Sequence, residues 1–136
     1  MTSKLKKKVK ALSDSGQFHK RFIMVDYHLL QSEAFREIKG EAFKLYLKVR
    51  ERFNGLNNGE ISYSVREASE ILGISKSSAS KYFLELEEKG FLRIKQKGSY
   101  NLKTKHATTW IITSESYNNH PKSREFMRWK KASTIN

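Results

Sequence analysis

Two short segments carry the residue types most able to do chemistry. From Ser75 the chain reads Ser75-Lys76-Ser77-Ser78-Ala79-Ser80-Lys81, and residues 93–106 hold Arg93, Lys95, Lys97, Lys103 and Lys105 with no carboxylate among them. Ser99, Tyr100 and Asn101 add neutral hydrogen-bonding groups to the second segment. These are donors and positive charges rather than nucleophiles paired with bases. A lysine ammonium can donate to guanine O6 and N7, and a serine hydroxyl can donate or accept at several bases. A dense row of cations suits backbone phosphates or a minor-groove approach. Ser64 and Arg66 stand at a third point where a phosphate could be met, although Arg66 and Glu70 at i, i+4 can equally pair with each other.

Catalysis finds no support. His19, His28, His106 and His120 are scattered without metal-ligand spacing. There is no glycine-rich phosphate loop, and no Ser/His/Asp order suggests a triad. The absence of cysteine removes disulfides and thiolate metal sites, and fits a reducing cytoplasm. The expectation is a non-enzyme with no metal and no cofactor.

The elements that must position these groups are legible in the spacing. Ser75 caps a helix running to Lys89, whose core stripe is Ala79, Phe83 and Leu86 at i, i+4, i+7. That register turns Lys76, Ser77, Ser78, Ser80 and Lys81 outward, while Leu84 falls off the stripe and awaits cover by the C-terminal stretch. Ser64-Val65-Arg66-Glu67 is a capping box that opens a shorter helix, with Val65, Ala68, Ile71 and Leu72 inward. Gly73 ends it, and Gly90 ends the next. Phe91 to Gln96 and Thr108 to Thr113 read as two strands joined by the basic segment, with a turn at Lys97-Gly98-Ser99. Ile61-Ser62-Tyr63 is a short strand. Ser32 caps a longer helix up to Phe53 that Gly40 weakens, so a break near residues 39–40 is expected. Phe22-Ile23-Met24-Val25 reads as a short strand or extended segment. The fold class is therefore mainly α with a small antiparallel β-hairpin (α+β).

Length and charge set the frame. A chain of 136 residues with 38% apolar residues, including 8 Phe, 6 Tyr and 2 Trp, can build one core with tails. The division expected is a basic arm over residues 1–17, a domain over 18–114 and a basic C-terminal tail over 115–136 that contains a short amphipathic helix. Nothing in the chain has the length and apolarity of a membrane span or a secretory signal. Of the net charge of +13, the excess lies in residues 1–21, 93–106 and 107–136, while residues 22–92 are close to neutral. Basic segments on a neutral scaffold are an electrostatic footprint for a polyanion.

Val65 to Leu92 resembles the winged helix-turn-helix superfamily, as in MarR-type regulators and the initiator domains of phages and plasmids. The residues that carry the resemblance are Ala68 and Leu72, the turn Gly73-Ile74-Ser75, then Ala79, Leu86, Gly90, Phe91 and Leu92. A wider similarity to small replication-initiator-like proteins of phages and mobile elements rests on three stretches. These are Tyr27-His28-Leu29-Leu30-Gln31-Ser32-Glu33-Ala34-Phe35, His106-Ala107-Thr108-Thr109-Trp110 and Phe126-Met127-Arg128-Trp129. Flanking dimerisation helices of the MarR kind are not evident.

The resemblance implies a recognition helix (Ser75, Lys76, Ser77, Ser78, Ser80, Lys81) that enters the major groove. It also implies a wing (Arg93, Lys95, Lys97, Ser99, Tyr100, Asn101, Lys103, Lys105) and a positioning helix that begins at Ser64 and Arg66. The expected function is sequence-specific binding of double-stranded DNA in the cytoplasm, at the nucleoid, to regulate transcription. Origin binding for replication of a phage, plasmid or other mobile element is an alternative. RNA binding and a winged helix used only for protein docking are others. Phe126, Met127 and Trp129 either pack back on the domain, hold a homodimer, or engage a replication or transcription protein.

Overall fold

The computed structural model describes residues 21–100 and 105–132. Its first helices follow from two caps. The Asp26 carboxylate accepts the His28 N–H at 3.0 Å and starts α1 (Tyr27–Gln31). Ser32 Oγ donates to Leu29 O at 2.6 Å and accepts the Phe35 N–H at 3.1 Å, which closes α1 and opens α2 (Glu33–Glu37). Of the two forms expected at residues 22–25, a short strand or an extended segment, the strand does not form. No described strand pairs with it, Asp26 commits the next residues to a helix, and Phe22 and Met24 remain 69% and 64% exposed.

The long helix breaks where Gly40 stands. Ile38 and Lys39 are extended, and α3 (Gly40–Glu51) restarts the helix. No side chain of its own first residues caps α3. Instead the Lys39 N–H donates across the molecule to Glu85 Oε2 at 3.1 Å. The turn Asn54 to Gly59 leads into β1 (Ile61–Ser62), and Asn58 fixes that turn by donating to Ile112 O and accepting from the Ile112 N–H.

Both expected signals around Ser64 are present. Its hydroxyl accepts the Glu67 N–H at 3.0 Å, and Glu67 accepts the Ser64 N–H, opening α4 (Val65–Leu72). Gly73 closes α4 in the left-handed region at φ +65°. Ala68 is buried and Val65 and Leu72 pack against the core, but Ile71 is 46% exposed. At 3.6 residues per turn, Ile71 lies roughly 90° around from that line, on the flank of the helix. Ser75 caps α5 (Lys76–Glu88), and Ala79, Phe83 and Leu86 are buried as the spacing demands.

Beyond α5 come β2 (Leu92–Gln96), β3 (Ser99–Tyr100), β4 (Lys105–His106) and β5 (Thr109–Ile112). A three-stranded antiparallel sheet has the order β1-β5-β2, and β3 pairs with β4. The ladder between β2 and β5 slips between Ile94 and Gln96, which leaves Lys95 as the extra residue of a bulge. The β3–β4 pairing corrects the expectation of a turn at Lys97-Gly98-Ser99, because the hairpin runs on past it. Gly98 serves a close approach instead. A Cβ there would meet His106 O at 2.7 Å, and its N–H donates to Thr108 Oγ1.

Trp110 sits at the centre of the core. Its ring stacks on Phe83 at 4.8 Å, and its indole N–H donates to Tyr63 O at 3.1 Å. Leu45, Tyr46, Val49, Ile61, Leu86, Phe91 and Ile112 complete this layer between the helices and the sheet. Each such buried side chain contributes about 1.5–3 kcal/mol.

The C-terminal stretch packs back as a strap. Phe126, in a 3-10 turn (Glu125–Met127), is fully buried, and Arg124 reaches Asp26 at 2.7 Å. The Lys131 N–H donates to Glu33 Oε2 at 3.0 Å, and Lys89 Nζ lies 4.8 Å over the Trp129 ring. Phe126 therefore has no surface to offer a partner, and Met127 is exposed. Leu84 is not covered by the strap and stays 52% exposed.

Candidate nucleic-acid interface

Helix α5 begins with a locally closed hydroxyl pair. Ser75 Oγ accepts the Ser78 N–H at 3.0 Å and donates to Ser78 Oγ at 3.0 Å. Ser78 is half-buried, so these two hydroxyls serve the cap. Lys76, Ser77, Ser80 and Lys81 are exposed beside them. The first turn of α5 contains no acidic residue. Its free N–H groups add partial positive charge to that of the two lysines.

The pairing of charges is selective. Ten cations among the described residues hold a carboxylate within 4.0 Å: Arg36, Lys44, Lys48, Arg50, Arg52, Arg66, Lys89, Arg93, Arg124 and Lys131. Among the described residues, Arg21, Lys39, Lys76, Lys81, Lys95, Lys97, Lys122, Arg128 and Lys130 have none and are exposed, and of these Lys76, Lys81, Lys95 and Lys97 lie on α5 and the hairpin. Unpaired ammonium groups on adjoining elements can donate to phosphates or base edges without first releasing an internal partner.

The remaining expected contacts fall into three groups. Arg93 is engaged with Glu125 at 2.6 Å at the root of the hairpin, while Lys95 stands at the bulge. Ser99, Tyr100 and Lys105 are placed by their backbones in the β3–β4 ladder, and Asn101 and Lys103 lie outside the described residues, as does the arm 1–17. At α4, the Ser64 hydroxyl is committed to the capping box and Arg66 pairs with Glu70 at 3.3 Å.

The α4 cap is buttressed from behind. Arg52 donates to Glu67 at 2.6 Å and to Ser62 O at 2.7 Å, and lies 3.9 Å over the Tyr63 ring. The Arg52 hydrogen bond, with its charge and the Ser64 contacts, holds the Glu67 carboxyl below its ordinary value of 4.5. The first acid along α5 is likewise occupied, since Glu85 binds the Lys39 N–H and pairs with Lys89 at 3.2 Å.

Two features were not expected from sequence. Leu84 shares the outward face of α5 with Ser77 and Lys81; its only signal was falling off the Ala79/Phe83/Leu86 stripe. A cleft of about 740 Å³ lies between residues 21–24 and the end of α3 at Arg50 and Glu51 with the following residues Phe53 and Gly55, and its lining includes no residue of α5 or the hairpin. Among the described residues, no three His, Asp or Glu side chains gather as metal ligands, and no helix is long and apolar enough to cross a membrane.

No protein-family profile, no curated protein and no solved structure matches this chain.

Proposed function

We propose that the chain is a winged helix-turn-helix protein that binds double-stranded DNA sequence-specifically and acts as a regulator of transcription. The observation that carries this reading is the exposed set Lys76, Lys81, Lys95 and Lys97 on α5 and the hairpin, none of which has a carboxylate partner among the described residues. The order of the elements supports it. A helix, a short strand, two helices joined by a left-handed glycine, and a basic hairpin fit α5 as the reading helix and β2–β5 as the wing. Lys76, Ser77, Ser80 and Lys81 take the base edges, and Lys95 and Lys97 take phosphates.

The test is binding of the purified chain to a random duplex pool across a salt series. Affinity is expected to fall with salt at a log–log slope of about −2 or steeper, since Lys95 and Lys97 each neutralise a phosphate. Absence of salt-dependent duplex binding, or preference for structured RNA in competition, would overturn the reading. Footprinting then separates the roles: one site over a promoter supports regulation, and iterated sites at an origin would move the assignment to replication.

A further inference from the structure

The outward face of α5 is not uniformly polar. Ser77, Lys81, Leu84 and Glu88 follow one another at i, i+4, i+7 and i+11, all exposed, opposite the buried Ala79, Phe83 and Leu86. Leu84 is the one apolar member of that line, and 52% of its surface is open. It stands one turn beyond Ser80, about 6 Å along the helix axis, which is one to two base steps. Glu87 and Glu88 follow it, so their charge ends the stretch of α5 that phosphates tolerate. On the duplex-DNA reading, a side chain in this position faces the same groove as Ser80 and Lys81. The apolar group that the major groove presents is the C5-methyl of thymine.

We propose that Leu84 reads thymine by packing against its C5-methyl group, which gives the site a preference for A·T at its edge. The assignment rests on the duplex-DNA reading above.

Duplexes recovered from a random-sequence pool by the purified full-length chain are resynthesised with each thymine replaced in turn by deoxyuridine, which removes only that methyl. One or two positions are expected to weaken wild-type binding about fourfold, the factor that burial of one such group is worth. Leu84→Ala is expected to bind the parent duplex more weakly, to be indifferent to deoxyuridine at those positions, and to keep the wild-type salt slope because no phosphate contact is lost. A urea midpoint equal to wild type assigns the loss to the contact rather than to unfolding. Salt-dependent duplex binding that ignores every thymine methyl, or a Leu84→Ala variant that keeps the sensitivity, overturns the role of Leu84 alone. Loss of salt-dependent duplex binding altogether overturns the DNA reading, and Leu84 with it.

Discussion

The ring of Phe126 lies stacked on that of Phe91, with centroids 5.7 Å apart and planes 14° from parallel. Phe91 directly follows Gly90 at the junction of α5 with β2, so the C-terminal strap is keyed to the point where helix becomes sheet. Phe126→Ala is expected to cost about 3–5 kcal/mol in a urea unfolding series, as for other fully buried aromatics. Met127→Ala, at an exposed neighbour, is expected to change stability by about 0.5 kcal/mol or less. Equal losses for the two would show that the strap does not seat Phe126.

Two glycines offer a paired comparison. Gly73 and Gly90 both adopt positive φ, at +65° and +83°. A Cβ at Gly73 meets open space, whereas at Gly90 it meets the Glu125–Phe126 backbone at 2.6 Å. Gly73→Ala is expected to cost about 1–2 kcal/mol, the ordinary left-handed penalty. Gly90→Ala must also push the strap away and is expected to cost clearly more. Thermal melts of the two variants check the order.

Arg50 is a charge taken into the interior. Its side chain is 4% exposed, donates to Ser114 Oγ at 3.1 Å and pairs with Glu115 at 3.3 Å. Its Nε is the one buried side-chain polar atom without a partner among the described residues. Glu115→Ala strands that cation and is expected to cost about 3–5 kcal/mol. The double variant Arg50→Met/Glu115→Ala is expected to lose less than Glu115→Ala alone, since no unpaired charge remains. Calorimetry on the set decides it, and a nearly neutral Glu115→Ala would mean the guanidinium reaches water.

Acid should loosen the α4 cap in a defined direction. The Arg52 hydrogen bond lowers the folded Glu67 carboxyl below 4.5. A lowered folded value gives stability that is complete above the unfolded value and drains away as pH falls through the folded one. Glu67 is more than a third exposed, so screening keeps the effect modest. Glu67→Gln keeps the capping geometry without the charge. Its urea midpoint is expected to drop less than that of wild type between about pH 6 and about pH 3. Identical drops would show that the Arg52 pair does not couple to folding.

On the proposed DNA reading, the two lysine pairs differ in kind. Lys76→Ala/Lys81→Ala is expected to relax sequence preference, because a well-placed base contact discriminates by about 1–3 kcal/mol. Lys95→Ala/Lys97→Ala is expected to weaken all duplexes alike and make the salt slope shallower by about 2. Anisotropy titrations on selected and scrambled duplexes measure both. A Lys76/Lys81 variant with undiminished selectivity would remove α5 from the reading role.

Local signals were legible and long-range ones were not. Ser64 with Glu67, Gly73, Ser75 and the Ala79/Phe83/Leu86 stripe are each set by neighbours within one or two turns, and all appear as the spacing implies. Phe22 to Val25 has strand composition, but a strand needs a partner edge, and a sequence window does not contain one. The seat of Phe126 against Phe91 and the reach of Arg124 to Asp26 depend on how distant segments meet. The extension of the hairpin past Gly98 was hidden because a glycine at a close approach reads like a glycine in a turn. Within the candidate interface, sequence supplied the outward lysines. It offered the Arg66–Glu70 pair through i, i+4 spacing, but not the long-range pair of Arg93 with Glu125.

The bond from the Lys39 amide to Glu85 has a mechanical outcome. The amide that precedes α3 finds its acceptor on α5, so the start of one helix is tied to the side of the other. On the proposed DNA reading, a helix tied to its neighbour in this way leaves part of the accommodation to the bound object. For a double helix, that favours sequences that bend or widen cheaply, even at steps no side chain touches.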